Sequence, residues 1–231
     1  MIKIQNYDKE KQKLSLITDM PVFLANAIRR SVLEIPVMAI EEVEIFKNDS
    51  ALYDEIIAHR MGLIPIETGK ASKEVKFKLK EKGPKIVYSS ELSPSIGTGF
   101  KLPIVILDEG QELEIVAEAR LGKGIEHIKY SPGLVYYKHN LDEEVLDFVY
   151  IDSEGKVSYE EEELVNVPEE IVNKIKKAKE VNELVFNVES WGQMDVKDVF
   201  LKSIEALDNN LKELDKSVKW CLVYILLYKN I

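Results

Sequence analysis

Three short groups of side chains in this sequence have the residue types needed for binding or for acid–base chemistry. The groups are Arg29 with Arg30, His59 with Arg60, and Glu126 with His127 and Lys129. The planar fork of arginine binds carboxylates and backbone carbonyls with two hydrogen bonds at once. Histidine and glutamate are residue types that serve in general acid–base catalysis, and Glu126 and His127 are neighbours. No nucleophile or metal ligand stands near the third group in the sequence, so catalysis is not predicted there.

Each group also has a purely structural interpretation. Arg29 and Arg30 are two of only four arginines in the chain. Their structural interpretation is that both lie on a solvent-exposed helix face and bind nothing. His59 and Arg60 come just before a predicted helix end, where the helix dipole favours a cation. The residues alone favour a structural histidine and an ordinary C-terminal cap there.

Composition and charge describe a soluble globular protein that is not primarily a DNA binder. The chain has 231 residues, 45% of them hydrophobic and 31% charged, and a net charge of −10. Residues 142–170 contain 12 acidic residues and one basic residue, a local charge of −11, so the rest of the chain carries about +1. High DNA affinity needs concentrated positive charge, so no sequence-specific nucleic-acid binding is expected, and weak contact at one edge of the protein is left open.

The sequence predicts neither a targeting segment nor a membrane span. The first 14 residues are polar and charged, unlike a signal peptide. The longest apolar run, "WCLVYILLY", has nine residues, whereas a spanning helix needs roughly 20. The single cysteine, Cys221, lies in this run and is expected to be a small buried apolar residue. We therefore expect a cytoplasmic protein without a membrane contact.

Periodicity predicts the elements that carry these groups. Two short strands (2–4 and 14–17) precede a helix that begins near Asp19 and ends at Pro36, and a strand follows in "VMAIEEVEIF". A second helix covers "ALYDEIIAHRMGLIPI" and ends near Gly62. Strand-like runs then continue to about Gly124. A helix in "PEEIVNKIKKAKE" and a strand in "ELVFNVES" follow the acidic segment.

A heptad pattern marks the last predicted helix. Its apolar residues are spaced 4, 3, 4, 3 and 4, which is typical of a coiled-coil seam. This apolar seam consists of Phe200, Ile204, Leu207, Leu211, Leu214 and Val218. A helix from about 195 to 228 would be roughly 50 Å long. Packing of the seam on the chain's own sheet and packing on a second protein both remain open.

Three stretches, in order, resemble one protein family. They are "FLANAIRRSVLEIPVMAIEEVEIFKNDSALYDEIIAHRMGLIPI", "ARLGKGIEHIKYSPG" and "FNVESWGQMDVKDVFLKSIEAL". They resemble the alpha-like assembly subunits of DNA-directed RNA polymerase, which include bacterial alpha, the eukaryotic alpha-like subunits and, with the nearest similarity, the D-type members of archaea. Together they cover roughly a third of the chain.

The resemblance implies a fold, partners and site residues. It implies an α+β protein whose dimerisation domain (1–48 and 181–231) is interrupted by a mainly β insert (49–180). It implies a heterodimer with the small alpha-like subunit L, which docks the large catalytic subunits and other small polymerase subunits. The implied heterodimer interface consists of Leu24, Ile28, Val32 and the apolar seam. The implied large-subunit docking residues are Asn26, Arg29, Arg30, His59, Arg60, Glu126, His127 and Lys129.

The sequence departs from the family at a metal site. Many archaeal members hold an iron–sulfur cluster and some eukaryotic relatives hold zinc, but residues 140–180 contain no cysteine. We therefore expect no cluster, no zinc and no other cofactor on this chain. We expect the insert to be held by apolar packing instead, through Val145, Leu146, Phe148, Val149, Ile151, Leu164 and Val165.

The functional prediction is a non-catalytic platform subunit of an archaeal RNA polymerase. The Mg²⁺ used in transcription would then be held by other subunits. The alternative is a free-standing dimeric protein-binding module that keeps the fold outside a polymerase. An enzyme in its own right is the third and least supported interpretation, and no catalytic residue is assigned.

Overall fold

A computed structural model describes the backbone of residues 1–69, 74–152, 155–165, 167–178 and 180–228, and their side chains except those of residues 163 and 220–228. The structure contains both α-helices and antiparallel strand pairs, with the strands between residues 74 and 139 following one another without an intervening α-helix, which confirms the predicted α+β class. None of the helices within these ranges is long and apolar enough to cross a membrane.

Strands are the commonest regular element up to residue 158, and one more follows later in the chain. In chain order they are β1 (Ile2–Asp8), β2 (Lys13–Thr18), β3 (Pro36–Asn48), β4 (Glu74–Lys82), β5 (Lys85–Tyr88), β6 (Pro103–Leu107), β7 (Glu112–Lys123), β8 (Gly133–His139), β9 (Tyr150–Ile151), β10 (Val157–Ser158) and β11 (Leu184–Ser190). The runs predicted as strands are present, while β8, β9 and β10 were not predicted.

Five α-helices within the described ranges connect or follow these strands. They are α1 (Val22–Ser31), α2 (Asp54–Gly62), α3 (Glu143–Leu146), α4 (Glu169–Lys177) and α5 (Val196–Tyr228). Helix α1 continues into a 3-10 turn at Val32–Glu34, and the chain enters β3 at Pro36. Proline stops the helix there because its ring excludes the next helical turn.

The chain forms two compact units. The first contains Met1–Arg29 and Val135–Glu189, and the second contains Arg30–Leu134 and Ser190–Ile231. This division describes contacts within one chain. The predicted division into a dimerisation domain and an insert concerns pairing with another chain, and it stays a prediction.

The first unit holds a four-stranded sheet and a small satellite cluster. The sheet has the order β1-β2-β11-β8, with β2 antiparallel to both β1 and β11. The satellite cluster is built on Val145, Leu164 and Ile175, with Phe148 and Val149 packed beside them. Ile175 of α4 was missed because its helix, and not a strand, closes this cluster.

Three of the residues predicted to pack here are not in the satellite cluster: Leu146 and Ile151 are half-buried outside it, and Val165 is on the surface. Val165 is 78% exposed, because it follows the short 3-10 turn Glu161–Leu164 that directs Leu164 inward and leaves the next residue outside. Val145 and Leu164 are buried as predicted.

The second unit contains the main core. Strands β3, β7 and β4 form an antiparallel sheet in that order, and β5 pairs with β6. Helix α2 packs Ile57 and Met61 into this core, and both side chains are fully buried. The alternating apolar residues of β7 supply its central row, including Leu113 and Ile115.

Candidate protein-docking site

Helix α5 begins inside the second unit and then leaves the core. Val196 and Val199 are fully buried, and Phe200 is 8% exposed. Further along the apolar seam, Leu211 and Leu214 are 56% and 59% exposed. The first turns therefore pack on the chain's own core, and the seam beyond them is uncovered in the described structure.

An uncovered heptad seam on a long helix is an unusual surface for a monomer. The helix has 33 residues, which corresponds to about 50 Å. Ile204 and Val218 are 36% and 47% exposed, and Leu207 is half-buried. Contiguous exposed apolar side chains of this kind mark protein interaction sites.

Helix α1 contributes less exposed surface than the sequence predicts. Ile28 and Val32 are buried within the chain itself, because this apolar helix face packs on the interior. Leu24 is 36% exposed, and the neighbouring Phe23, which was not predicted, is 76% exposed. The assignment of these α1 residues to an interface stays a prediction, and only Leu24 and Phe23 present substantial apolar surface outward.

The two neighbouring arginines are in different situations. Arg29 donates from Nε and Nη2 to the Asn26 side-chain oxygen at 3.3 and 2.9 Å, one helical turn away. Arg30 is exposed, and no described residue accepts a hydrogen bond from it. The hydrogen bonds to Asn26 orient the Arg29 guanidinium. All the N–H donors of the Arg30 guanidinium remain available to a partner.

Three of the other predicted docking residues meet around one small cavity in the second unit. The cavity has a volume of about 200 Å³ and lies where α2 approaches β3 and the turn after β7. His59, His127 and Lys129 line it together with Glu41. The fold thus brings together residues that are about 70 positions apart in the sequence.

Arg60 and Glu126 make contacts within the chain, as does His127. Arg60 Nη1 donates to the carbonyl oxygen of Ile104 at 2.6 Å. Glu126 accepts from the backbone N–H of Lys123 at 3.4 Å, and His127 Nδ1 accepts from the N–H of Lys129 at 3.1 Å. The last two contacts close a turn and give no acid–base arrangement.

Glu41 was missed by sequence reasoning, yet it organises this part of the surface. It stands at a β-bulge, because the pairing of β3 with β7 shifts register between Ile40 and Glu42. A bulge redirects the side chain of its extra residue. The Glu41 carboxylate forms an ion pair with Lys129 and accepts hydrogen bonds from Tyr130 Oη and Arg120 Nη2, each at 2.6 Å.

The electrostatics of this Glu41 cluster (Glu41, Arg120, Lys129 and Tyr130) follow from these contacts. Hydrogen bonds from Lys129 and then from Tyr130 lower the pKa of Glu41 to about 2, against the opposing effect of burial. The carboxylate is therefore ionised at neutral pH, and it neutralises Lys129, whose side chain is only 15% exposed. The alternating residues that follow, Glu42-Val43-Glu44, predict only a half-buried strand and do not set Glu41 apart from the other glutamates.

The described residues show no constellation suited to a metal ion. In the ranges that the structure covers, no three His, Cys, Asp or Glu side chains come close enough to hold one. The side chain of Cys221 lies outside the described residues. The absence of a cluster or zinc stays a prediction.

Comparison with known proteins shows that the sequence matches one protein family. Residues 16–211 match the family described as the RNA polymerase Rpb3/Rpb11 dimerisation domain. The chain belongs to this RNA polymerase family. The match extends from β2 to Leu211 of the apolar seam, and the predicted resemblance is confirmed.

Curated relatives in the family share the name "DNA-directed RNA polymerase subunit Rpo3". The one from Archaeoglobus fulgidus is 30% identical over 239 aligned positions, 85% of this chain and 89% of the relative. The one from Methanocaldococcus jannaschii is 44% identical over 155 positions, 64% of this chain and 80% of the relative. The one from Thermococcus kodakarensis is 40% identical over 155 positions, and the match spans only 60% of the length of each chain.

Proposed function

We propose that this chain is a non-catalytic assembly subunit of a DNA-directed RNA polymerase. In this proposal α5 pairs with a small alpha-like chain, subunit L in archaea, and the heterodimer docks the large catalytic subunits and other small subunits in the cytoplasm. The observation that carries the proposal is the uncovered outer part of the apolar seam, Leu211 to Val218, in a member of the Rpb3/Rpb11 dimerisation family. The polymerase's Mg²⁺ would be held elsewhere, and this chain would bind no cofactor.

The names of the relatives favour a polymerase subunit over a free-standing dimeric module. A dimerisation domain bounded by 1–48 and 181–231 is part of the proposal. So is a docking role for the eight residues Asn26, Arg29, Arg30, His59, Arg60, Glu126, His127 and Lys129. The exposed Arg30 and the shared cavity of His59 and His127 support it.

Pairing is tested by co-expression with the small alpha-like protein of the same host. Size-exclusion chromatography with light scattering is expected to give a 1:1 heterodimer. Leu211→Glu should abolish it, because an unpaired carboxylate buried in an apolar seam costs several kcal/mol. Lys216→Glu places the same charge two residues beyond Leu214, on another face of the helix, and should leave pairing intact.

Membership of the polymerase is tested separately by affinity purification from the native host. Recovery of the large polymerase subunits with the tagged chain is the expected result. A stable monodisperse monomer that is indifferent to Leu211→Glu would contradict the pairing, and a heterodimer recovered without large subunits would favour the free-standing module.

A further inference from the structure

One flank of the apolar seam is acidic along its outer part. Asp208 and Asp215 directly follow the seam residues Leu207 and Leu214. In a heptad helix these positions border the seam, and they face the bordering positions of the helix that pairs with it. The side chains of Asp208 and Asp215 are 57% and 60% exposed. We call this pair of carboxylates the acidic edge.

The opposite flank of the same part of the seam carries no charge. Asn210 and Ser217 directly precede the seam residues Leu211 and Val218, and both are exposed. The Ser217 hydroxyl donates to the carbonyl oxygen of Glu213 at 3.0 Å, within the helix itself. The charge beside the seam is therefore on one side only.

The acidic edge is only partly neutralised within α5. Lys212 forms an ion pair with Asp208 at 2.5 Å, and Lys219 forms one with Asp215 at 2.6 Å. Both lysines contact Oδ2, so Oδ1 of each aspartate has no partner among the described residues. Exposed pairs one helical turn apart are weak and are screened by salt. Each carboxylate can therefore accept from a cation across the seam as well.

A second copy of this chain meets the acidic edge with like charge. Parallel self-pairing would bring the second units of both copies to the same end of the seam, with the helix axes only about 10 Å apart, so antiparallel order is the arrangement open to two copies. The antiparallel register that covers the exposed seam sets Leu211 opposite Leu214 of the second copy. The same register sets Asp208 opposite Asp215 of the second copy, and symmetry repeats this contact.

We infer that Asp208 and Asp215 select the helix that pairs with α5. They repel a second copy of this chain, and they attract a helix that has Lys or Arg at the two facing positions. Asn210 and Ser217 place no charge requirement on the other flank, so the partner helix is basic along one flank only. This inference rests on the proposed function and adds to it the chemistry by which the seam distinguishes its partner from its own copies.

The test mixes two purified, differently tagged versions of the full chain. Wild type is combined with a variant that carries both Asp208→Lys and Asp215→Lys, and pull-down with light scattering measures self-pairing. The oppositely charged copies should pair about tenfold more tightly than wild type pairs with itself, because two repulsive contacts become attractive. The gain should shrink as the salt concentration rises.

The matched control reverses two other carboxylates of the same helix. Glu205 and Glu213 are exposed and line a cavity on another side of α5. A chain with Glu205→Lys and Glu213→Lys should pair with wild type within twofold of wild type with itself. Circular dichroism checks that both double variants keep their helix content.

The same variants are then titrated with the small alpha-like protein of the host. Reversal of the acidic edge should weaken this heterodimer at least tenfold, and the control variant should not. The inference is overturned if the oppositely charged copies pair no more tightly than wild type with itself, or if the control has the same effect. Failure of the wild-type chain to pair with the small alpha-like protein would instead count against the proposed function. The mixture of tagged copies contains no other protein, so it distinguishes the two failures.

Discussion

The Tyr130 hydroxyl donates to the Glu41 carboxylate at 2.6 Å, and this contact joins a bulge in β3 to the turn that follows β7. Lys129, the residue before Tyr130, forms an ion pair with the same carboxylate. The Glu41 side chain thereby holds the turn against β3 and also neutralises the Lys129 ammonium group.

Glu41→Gln should destabilise the protein at neutral pH by about 2 kcal/mol. The pKa of Glu41 is lowered to about 2 in the folded chain, so its ionised form is favoured by folding. A lowered pKa contributes stability above the unfolded value of about 4.5, and that contribution is lost as the pH falls through this value toward 2. Denaturant unfolding between pH 2 and 7 should therefore show wild type and variant converging at low pH.

The matched control is Glu42→Gln, which removes the neighbouring exposed carboxylate of the same strand. It should change the free energy of unfolding by less than about 0.5 kcal/mol at any pH. A difference between Glu41→Gln and wild type that stays constant with pH would show that the effect is packing and not charge.

Arg29→Ala combined with Arg30→Ala should leave the α5 heterodimer intact and weaken recruitment of the large subunits at least tenfold. Arginines at interfaces are frequent binding hot spots, and each lost charge-assisted contact is worth about 1.5–3 kcal/mol. Reconstitution of the polymerase from purified subunits measures this. Lys9→Ala with Lys11→Ala removes the same charge from an exposed turn and should have no effect. Normal reconstitution with both arginines replaced would refute the docking role.

Gly192→Ala should lower stability by about 1–3 kcal/mol, because it places a side chain at φ +93° and makes the tip of the Phe100 ring, 2.6 Å from the new Cβ, move aside. Gly99 has φ +73° with nothing within 4 Å of a built Cβ. Gly99→Ala therefore reports the cost of the backbone conformation alone, about 1 kcal/mol. Equal costs in denaturant unfolding would mean that Phe100 does not hold the turn.

Chelators should leave the thermal unfolding of the chain unchanged, and elemental analysis should find less than stoichiometric iron and zinc. The physical reason is the satellite cluster around Val145, Leu164 and Ile175, which packs the segment without a metal ligand. Ile175→Ala, by contrast, should destabilise this segment by about 2–5 kcal/mol, since it empties a fully buried position. One bound zinc or four irons per chain would overturn the expectation.

The local spacing of apolar residues predicted the helices and strands well. It predicted less well which apolar faces are buried within the chain and which are exposed. The heptad spacing predicted α5, and alternating apolar residues predicted β7, because both signals depend on neighbours within a few positions. The same periodicity marked Ile28 and Val32 as an apolar face. It could not tell whether their own chain or another would cover them, and the structure buries both within the chain.

The Glu41 cluster could not be predicted from the sequence for a different reason. Glu41 acquires its role from a register shift against a strand about 75 residues away. Such sites depend on long-range pairing that single-sequence periodicity does not encode.

The length of α5 beyond its buried first turns has a consequence for the abundance of the protein in the cell. Ion pairs such as Asp215 with Lys219 support the outer turns by only a few tenths of a kcal/mol each. A helix segment without tertiary cover is marginal in water and opens readily. Copies that have not found a partner would therefore be the ones that proteases and chaperones recognise. Degradation of these orphan copies would keep the level of this chain matched to that of its partner without a dedicated regulator.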